Sequence, residues 1–340
     1  MMAGSSLWPA HPQPLPDELL TSWIVRTAEA NGIKLQTLSR LLFGTSVSPW
    51  NRDCDRSAPK WILEPICEHT GIDYGKAYGM TLGVYEGLLY MRRRKSGQLR
   101  WILAVKTTAT SRRGFGQQFC PQCLAEDQAP YFRKIWRVAF CTFCPEHGIM
   151  LYDACPSCGR PVVFHRRDFG KELENAGSIC CCTECGFDFR QAAKNQANLP
   201  TRDVEELFCD MLAFVSGARR GAQGFDLGFF AVLHQLCRIM GMKGNGCRLR
   251  FFTAARLGLP VEPITLGRTA VEHRRVSIRH ELMLCALWLM GNLQERVAAA
   301  WEAKAVRYNL LLKDMADAPL WYVRLAAGFS DWRHGMRFVR

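Results

Sequence analysis

Four pairs of metal-binding residues, each with a two-residue spacer, lie between Cys120 and Cys185. Ten of the sixteen cysteines fall in this stretch, so composition alone separates it from the rest of the chain. Four such pairs suit two tetrahedral Zn²⁺ ions, at two pairs per ion. With four protein ligands each, the ions have no open position for water, which predicts two structural zincs. The predicted ligands are Cys120, Cys123, Cys144, His147, Cys155, Cys158, Cys182 and Cys185.

The second pair requires a choice, because Cys141 and Cys144 have the same spacing as Cys144 and His147. Three pairs share the form Cys-Pro-x-(Cys or His), which the pair ending at His147 fits and the pair beginning at Cys141 does not. Proline fixes φ and lacks an N–H, which suits a tight turn that holds two ligands on one ion. The pattern favours His147 and leaves Cys141 as an alternative.

The last pair requires another choice, because Cys180, Cys181 and Cys182 are consecutive. Residues 182–186 repeat the Cys-x-x-Cys-Gly form of residues 155–159, and glycine can adopt the positive φ that such a turn often needs. This repetition favours Cys182, with Cys180 and Cys181 as alternatives.

Loop lengths indicate how the pairs combine. Joining the first pair to the second encloses about twenty residues, and so does joining the third to the fourth, as in a zinc ribbon. An interleaved, cross-braced pairing is the alternative. Either arrangement would supply folding energy, on the order of 10 kcal/mol or more per ion, to a segment too small for its own core.

The remaining composition bounds the class of protein. The 340 residues carry a net charge of +13, which favours an anionic partner, with nucleic acid the leading candidate. The start of the chain lacks a signal-peptide pattern, and the longest apolar run, residues 282–290, is too short to span a bilayer. We therefore expect a cytoplasmic protein whose cysteines bind metal and do not form disulfides.

Helical patterns flank the cysteine-rich stretch. The first predicted helix has Pro16, Asp17 and Glu18 in its first turn and ends at Asn31-Gly32. A second helix has Leu35, Leu38, Leu41 and Leu42 facing inward and stops at Gly44. Residues 61–69 and 73–80, joined by Thr70-Gly71-Ile72, give a helix-turn-helix outline whose second helix could enter a major groove.

Apolar stripes predict further helices over residues 204–215, 225–240 and 281–290. Residues 293–312 and 319–327 form another helix-turn-helix outline. Within the cysteine-rich stretch, Trp136, Val138 and Phe140 alternate with their neighbours as in a short half-buried strand.

A basic interval precedes the cysteine-rich stretch. Residues 87–125 contain no acidic residue, and such a run is either a solvated linker or a contact for phosphate. The nucleic-acid-binding residues predicted from this interval are Arg92, Arg93, Arg94, Lys95, Arg112 and Arg113.

The predicted fold class is mainly α with a small zinc-ribbon centre. Residues 1–114 would form an N-terminal helical helix-turn-helix domain with a basic linker, residues 115–192 a double zinc-finger domain, and residues 193–340 a C-terminal helical domain resembling a helix-turn-helix.

Several segments together resemble the TniQ family. They are residues 14–23 (PLPDELLTSW), 30–32 (ANG), 119–127 (FCPQCLAED), 130–133 (PYFR), Trp136-Arg137, 144–148 (CPEHG), Leu151 and 155–159 (CPSCG). The resemblance covers roughly residues 14–190, whereas residues 200–340 match only in being helical.

This resemblance implies an adaptor for DNA transposition. TniQ proteins are target-selection components that combine helix-turn-helix domains with zinc fingers. They connect a target-recognising element, either a DNA site or in some lineages a CRISPR effector complex with its guide RNA, to an AAA+ ATPase regulator and the transposase. Where the element is a CRISPR complex, the family member acts as a homodimer.

Two other classes compete with the adaptor. A zinc-dependent hydrolase needs an open metal position, and the sequence contains no HExxH motif and no P-loop, so we expect no enzyme. A stand-alone transcription regulator with a zinc ribbon and a helix-turn-helix is the remaining alternative.

Overall fold

The fold is described from a computed structural model, for residues 7–44, 50, 53–57, 59–92, 97–105, 115–218, 224–242, 247–261 and 269–329. The chain divides into two compact units. Unit 1 comprises Met1–Glu86 and Arg92–Ala197, and unit 2 comprises Gly87–Met91 and Asn198–Arg340.

Helices dominate both units, which confirms the prediction of a mainly helical chain. The described residues contain isolated β-bridges and no sheet. Helices of unit 1 are α1 (Leu20–Ala30), α2 (Leu35–Phe43), α3 (Cys54–Ser57), α4 (Lys60–Thr70), α5 (Tyr74–Gly79) and α6 (Pro121–Glu126). Helices of unit 2 are α7 (Arg202–Val215), α8 (Leu227–Met240), α9 (Cys247–Leu257), α10 (Val276–Gly291), α11 (Leu293–Glu302), α12 (Tyr308–Leu311) and α13 (Leu320–Ala327). Among the described residues, no helix combines the length and apolarity needed to cross a membrane.

The start of α1 differs from the sequence prediction. Its first residue is Leu20, so Pro16, Asp17 and Glu18 lie outside its first turn. Glu18 is buried and accepts hydrogen bonds from the backbone N–H of Leu15 and from Arg26. Asp17 has a φ of +53° and accepts from the backbone N–H of Ile135. These carboxylates bind groups elsewhere in unit 1, which outweighs their weak preference for the helix end.

In α2, the inward face is narrower than the leucine pattern predicts. Leu35 and Leu38 are buried, but Leu41 is 64% exposed. Leu41 lies roughly 120° around the helix from Leu35, beyond the edge of the buried arc, at 3.6 residues per turn. Ser39 is buried on the other side of that arc.

The predicted helix-turn-helix outline of unit 1 corresponds to α4 and α5. Asp73 caps α5 by accepting from the N–H groups of Gly75 and Lys76. The turn between the helices places Gly71 at a φ of +69°. The second helix has only six residues, which leaves little length for contacts in a groove.

The predicted strand at Trp136, Val138 and Phe140 is wrong. Trp136 lies in a 3₁₀ helix, Lys134–Arg137, and Val138 forms an isolated bridge with Ile102. The residues between them, Arg137, Ala139 and Cys141, are buried as well. Arg137 can be buried because it makes ion pairs inside unit 1. The alternation of residue types therefore does not correspond to an alternation of burial.

In the core of unit 1, α1 packs against the cysteine-rich segment, residues 120–185. Hydrogen bonds connect Leu19 N–H to the carbonyl of Phe132, at 2.9 Å, and Phe132 N–H to the side-chain hydroxyl of Ser22, at 2.9 Å. Phe132 stacks on Phe164 with ring centroids 4.1 Å apart. These contacts fix the cysteine-rich segment against α1.

In unit 2, α10 is the central helix and packs against α7, α8 and α9. From Leu282 to Met290 its side chains are all apolar, as expected for a buried helix. The predicted single helix over residues 293–312 is wrong, because α11 ends at Glu302 and α12 begins at Tyr308. Lys304, with a φ of +56°, interrupts it, and Gln235 of α8 donates to the carbonyls of Leu310 and Leu311 at the end of α12.

Candidate metal centres

The structure brings the eight predicted ligands together in two sets of four, each with all its ligand atoms within 4.8 Å of one another. We call them group 1 (Cys120, Cys123, Cys144, His147) and group 2 (Cys155, Cys158, Cys182, Cys185). The pairing is sequential along the chain and not interleaved. Both groups lie in unit 1.

Three of the four ligand pairs share one backbone turn. The N–H of the first ligand donates to the carbonyl five residues later, and the N–H of the glycine after the second ligand donates to the carbonyl of the first. The glycine has a positive φ in each turn, which favours this residue type. The bonds are Cys144–Ile149 (2.8 Å) with Gly148–Cys144 (2.8 Å), Cys155–Arg160 (2.8 Å) with Gly159–Cys155 (2.8 Å), and Cys182–Phe187 (2.9 Å) with Gly186–Cys182 (3.0 Å).

The first pair is held differently, at the start of α6. Cys120 is the N-cap residue, and its Sγ accepts from the N–H of Cys123 at 3.4 Å. Pro121 occupies the first helical turn, where its missing N–H has no consequence. Group 1 therefore combines a helix start with a turn.

The separations within group 1 fit one tetrahedral ion. Cys123 Sγ lies 3.5 Å from Cys144 Sγ, and His147 Nδ1 lies 3.4 Å from each of these sulfurs and 3.6 Å from Cys120 Sγ. A zinc ion with bonds of about 2.3 Å to sulfur and about 2.0 Å to nitrogen sets tetrahedral edges of roughly 3.8 Å and 3.5 Å. The same sulfurs are too far apart for a disulfide, which needs about 2.05 Å.

In group 2, Cys155 Sγ lies 3.7 Å from Cys185 Sγ, and Cys158 Sγ lies 3.7 Å from Cys182 Sγ. These separations also match the edge of a zinc–thiolate tetrahedron, roughly 3.8 Å. Cys155 and Cys182 are buried, whereas Cys158 and Cys185 are exposed. Group 2 is thus the more accessible of the two.

Each group contains a cysteine that favours the thiolate, the form that binds metal. Hydrogen bonds from Cys120 and Cys123 lower the pKa of Cys144 to about 2. In group 2, the backbone N–H of Phe187 lowers the pKa of Cys185 to about 7.

Glu126 is a functional candidate that the sequence reasoning did not single out. Its Oε2 lies 2.8 Å from His147 Nε2, while Nδ1 of the same ring faces the three sulfurs. A carboxylate that accepts from the outer nitrogen fixes the tautomer that leaves the inner nitrogen free to bind metal. The three-residue spacing from Cys123 along α6, which places Glu126 beside that ligand, is the signal that could have found it.

The alternative cysteines lie outside both groups. Cys141 is buried, and its Sγ lies 3.7 Å from the carbonyl of Phe143. Cys180 is buried too, and burial raises its pKa to about 11. Cys181 forms an isolated bridge with Asp188 and is half-buried.

A buried ion-pair network in unit 1 was also not predicted. Arg137, whose side chain is 1% exposed, donates to Asp53 Oδ2 at 2.5 Å, to Asp55 Oδ2 at 3.2 Å and to the carbonyl of Leu103 at 2.8 Å. Asp55 also accepts from the N–H of Thr21 at 2.8 Å. Burial raises the pKa of Asp55 to about 6, Arg137 opposes this shift, and Asp53 adds to it.

Thr21, Asp53, Asp55 and Arg137 of this network line a cavity of about 20 Å³, large enough for one water. His165 also lines it, and burial lowers the pKa of this histidine to about 3, so its ring is neutral. The network therefore has the character of a structural contact between α3 and the cysteine-rich segment, and not of a substrate site.

Among the predicted nucleic-acid contacts, the described residues include only Arg92, which is exposed. Arg93, Arg94, Lys95, Arg112 and Arg113 lie outside the described residues. The prediction of phosphate contacts at this interval stays a prediction.

Residues 9–151 match the model of the TniQ family, which confirms over that range the resemblance seen in the sequence. The matched range includes all of group 1 and ends before group 2. No curated protein matches the chain.

Proposed function

Because residues 9–151 of this chain are a TniQ domain, of a transposon-associated target-selection family, we propose that the protein is a target-selection adaptor for DNA transposition. It links a target-recognising element, either a DNA site or a CRISPR effector complex with guide RNA, to an AAA+ ATPase regulator and the transposase. The family match is the observation that carries this proposal.

The same proposal assigns one Zn²⁺ to each group. A Cys₃His set and a Cys₄ set of tetrahedral dimensions are typical of structural zinc, and four protein ligands leave no position for a reacting water. Zinc at these sites supplies folding energy and holds the turns in place. Metal analysis of the purified chain should give two zinc ions per chain, whereas a ratio near one, or iron in place of zinc, contradicts the assignment.

The buried network supports a scaffolding role for unit 1. Arg137 bonds to Asp55 of α3, to Asp53 just before this helix and to a backbone carbonyl, so α3 and the cysteine-rich segment are held at several points. An adaptor must keep its binding surfaces in fixed relative positions, and buried, fully bonded polar networks favour one unique arrangement.

An apolar surface on α2 and α4 is suited to a protein partner. Leu41 is 64% exposed and Trp61 is 40% exposed, and the ring of Trp61 meets that of Phe43 edge-on at 5.6 Å. Exposed aromatic and aliphatic side chains of this kind are typical of protein interfaces. We assign this surface, Leu41 with Phe43 and Trp61, to the ATPase regulator.

A three-component pull-down tests the adaptor. The ATPase and the target-recognising element encoded beside this gene should associate only when the full chain is present. Leu41→Ala with Trp61→Ala should reduce ATPase capture at least about tenfold, as expected for truncated interface residues. Val84→Ala, at another exposed apolar residue of unit 1, is the matched control and should leave capture unchanged.

Two outcomes contradict the proposal. One is equal association of the ATPase with the target-recognising element in the absence of this chain. The other is DNA cleavage or ATP hydrolysis by the purified chain alone, abolished by a chelator under conditions that preserve folding. If ATPase capture survives in the double variant while bridging still requires the chain, only the assigned surface is wrong.

A further inference from the structure

Helix α9 of unit 2 presents two chemically distinct faces. Its inner face contains Leu249, Arg250, Thr253, Ala254 and Leu257, which are all buried. Its outer face contains Arg248, Phe251, Ala255 and Arg256, which are all exposed. At 100° per residue, these two sets occupy opposite halves of the helix.

The inner arginine is neutralised and anchors the helix. Arg250 donates to both carboxylate oxygens of Glu281 on α10, at 2.6 Å and 2.5 Å, and its side chain is 2% exposed. A bidentate pair of this kind fixes orientation as well as position. The outer face is thus presented by a helix that is held firmly against the core of unit 2.

The outer arginines differ from Arg250 in their charged neighbours. Within the part of the chain that the structure describes, neither Arg248 nor Arg256 makes an ion pair. Helix α9 contains no acidic residue. The guanidinium of Arg256 stacks over the ring of Phe252, 4.9 Å from its centroid. Stacking uses the face of the guanidinium and leaves its N–H edge available for an anion.

An exposed aromatic side chain, Phe251, distinguishes α9 from a basic helix that is merely solvated. Its side chain is 56% exposed, although phenylalanine normally avoids water. It lies between the two outer arginines along the helix, which are separated by about 12 Å at 1.5 Å per residue. Phe252, the next residue and about 100° further around the helix, packs on Trp288 of α10 with ring centroids 6.4 Å apart, which ties this part of α9 to α10.

We propose that the outer face of α9 binds single-stranded nucleic acid, with a base stacked on Phe251 and phosphates on Arg248 and Arg256. An exposed ring flanked by cations is the arrangement by which single strands are bound without sequence preference. DNA and RNA share this chemistry. The inference concerns unit 2, outside the TniQ domain, and stands independently of the adaptor function.

The test measures binding of the full chain to a labelled 20-nucleotide single strand, as DNA and as RNA, and to the matching DNA duplex. Phe251→Ala should weaken single-strand binding by about fivefold or more, the loss expected for one stacked base, whereas Phe251→Tyr should retain it. Arg248→Ala with Arg256→Ala should make the log–log salt slope shallower by about 1.4, at roughly 0.7 per phosphate contact on a single strand.

Lys313→Ala with Arg324→Ala is the matched control. It removes the same charge from other exposed positions of unit 2 and should leave the slope within error. Circular dichroism should be unchanged in all variants, since each replaced side chain is exposed. The DNA and RNA arms identify which strand binds more tightly.

Three results would overturn the proposal. The first is an unchanged affinity of the Phe251→Ala variant for both single strands. The second is an equal loss in the control variant, which would indicate a diffuse charge effect. The third is unchanged oligonucleotide binding with loss of ATPase capture in the Arg248→Ala, Arg256→Ala variant, which would assign this face to a protein.

Discussion

At the scale of single residues, Cys141 and His147 compete for the same pair, and the backbone separates them. His147 is followed by Gly148, whose positive φ closes the turn, whereas Cys141 has its Sγ near the carbonyl of Phe143. Cys141→Ser should therefore retain two zinc ions per chain. His147→Ala should lose one, because group 1 keeps only three ligands. Metal analysis of the two variants measures the zinc content. Loss of one zinc ion from Cys141→Ser and retention of both in His147→Ala would show that the ligand choice is wrong.

Glu126 should tune group 1 without binding metal. Glu126→Ala removes the acceptor for His147 Nε2 and should lower the zinc affinity of group 1 about tenfold, the lower end for such partners because this carboxylate is exposed. Glu126→Gln keeps an acceptor oxygen and should behave almost as the wild type. Zinc transfer to a competing chelator measures the effect. Equal zinc affinities of the alanine variant and the wild type would show that the contact between Glu126 and His147 is only a surface ion pair.

Asp55 should make stability depend on pH. Burial raises its pKa from 3.8 to about 6, so its contribution is fully present below the unfolded value and is lost as pH rises through the folded one. The free energy of unfolding of the wild type, relative to Asp55→Asn, should fall by roughly 1 kcal/mol between pH 5 and pH 7. Denaturant titrations at both pH values measure it. A difference that rises over that interval would mean that Arg137 outweighs burial.

At the scale of elements, the ligand turns should depend on their glycines. Gly159 has a φ of +68°, and a Cβ there would meet no atom within 4 Å. Gly159→Ala should cost about 1 kcal/mol of unfolding free energy from backbone strain alone, and Gly159→Asn less, because asparagine tolerates positive φ. Chemical denaturation compares the two. An alanine variant as stable as the wild type would show that the turn adapts without strain.

The predictability of these elements differs for physical reasons. The ligand turns follow from local chemistry, so spacing together with the proline and glycine patterns of the pairs selected the eight residues that the structure brings together. The sequence of α9 shows no apolar stripe, because the helix buries Arg250 and exposes Phe251. Arg250 can be buried because it forms an ion pair with Glu281, which is distant in the sequence. The interruption at Lys304 likewise depends on tertiary packing, since residues 303–305 include no glycine or proline.

The buried network around Arg137 was beyond sequence reasoning for a related reason. Its acidic partners are more than eighty residues away, and each residue by itself is typical of a solvated surface. The start of α1 shows the same limit, because Asp17 accepts a hydrogen bond from the distant N–H of Ile135 instead of completing a helix end. Patterns in a sequence report local preference, and a distant partner can override it.

At the scale of the whole molecule, the net charge of +13 does not by itself locate the positive surface. Among the described residues, five arginines are buried and bond inside the protein: Arg137, Arg167 and Arg250 to carboxylates, and Arg274 and Arg279 to backbone carbonyls. The electrostatic argument for an anionic partner therefore depends on where the exposed arginines lie. Those on α9 form one such local concentration.

The two units should respond differently to metal removal. All eight ligands belong to unit 1, whereas unit 2 builds its own apolar core from α7, α8, α9 and α10. Structural zinc supplies about 10–16 kcal/mol, which is comparable to the whole stability of a domain, about 5–15 kcal/mol. Chelation should therefore unfold unit 1 and leave unit 2 folded.

Hydrogen exchange with and without a chelator measures this difference. The hydrogen-bonded amides of Ala139 and Leu151 in unit 1 should lose protection on chelation, while those of Leu284 and Leu287 in α10 should keep it. Leu284→Ala is the converse control, because a cavity in the core of unit 2 costs about 2–5 kcal/mol and should lower protection there with zinc still bound. Parallel loss of protection in both units on chelation would show that they fold as one cooperative body, with zinc stabilising the helices of unit 2 as well.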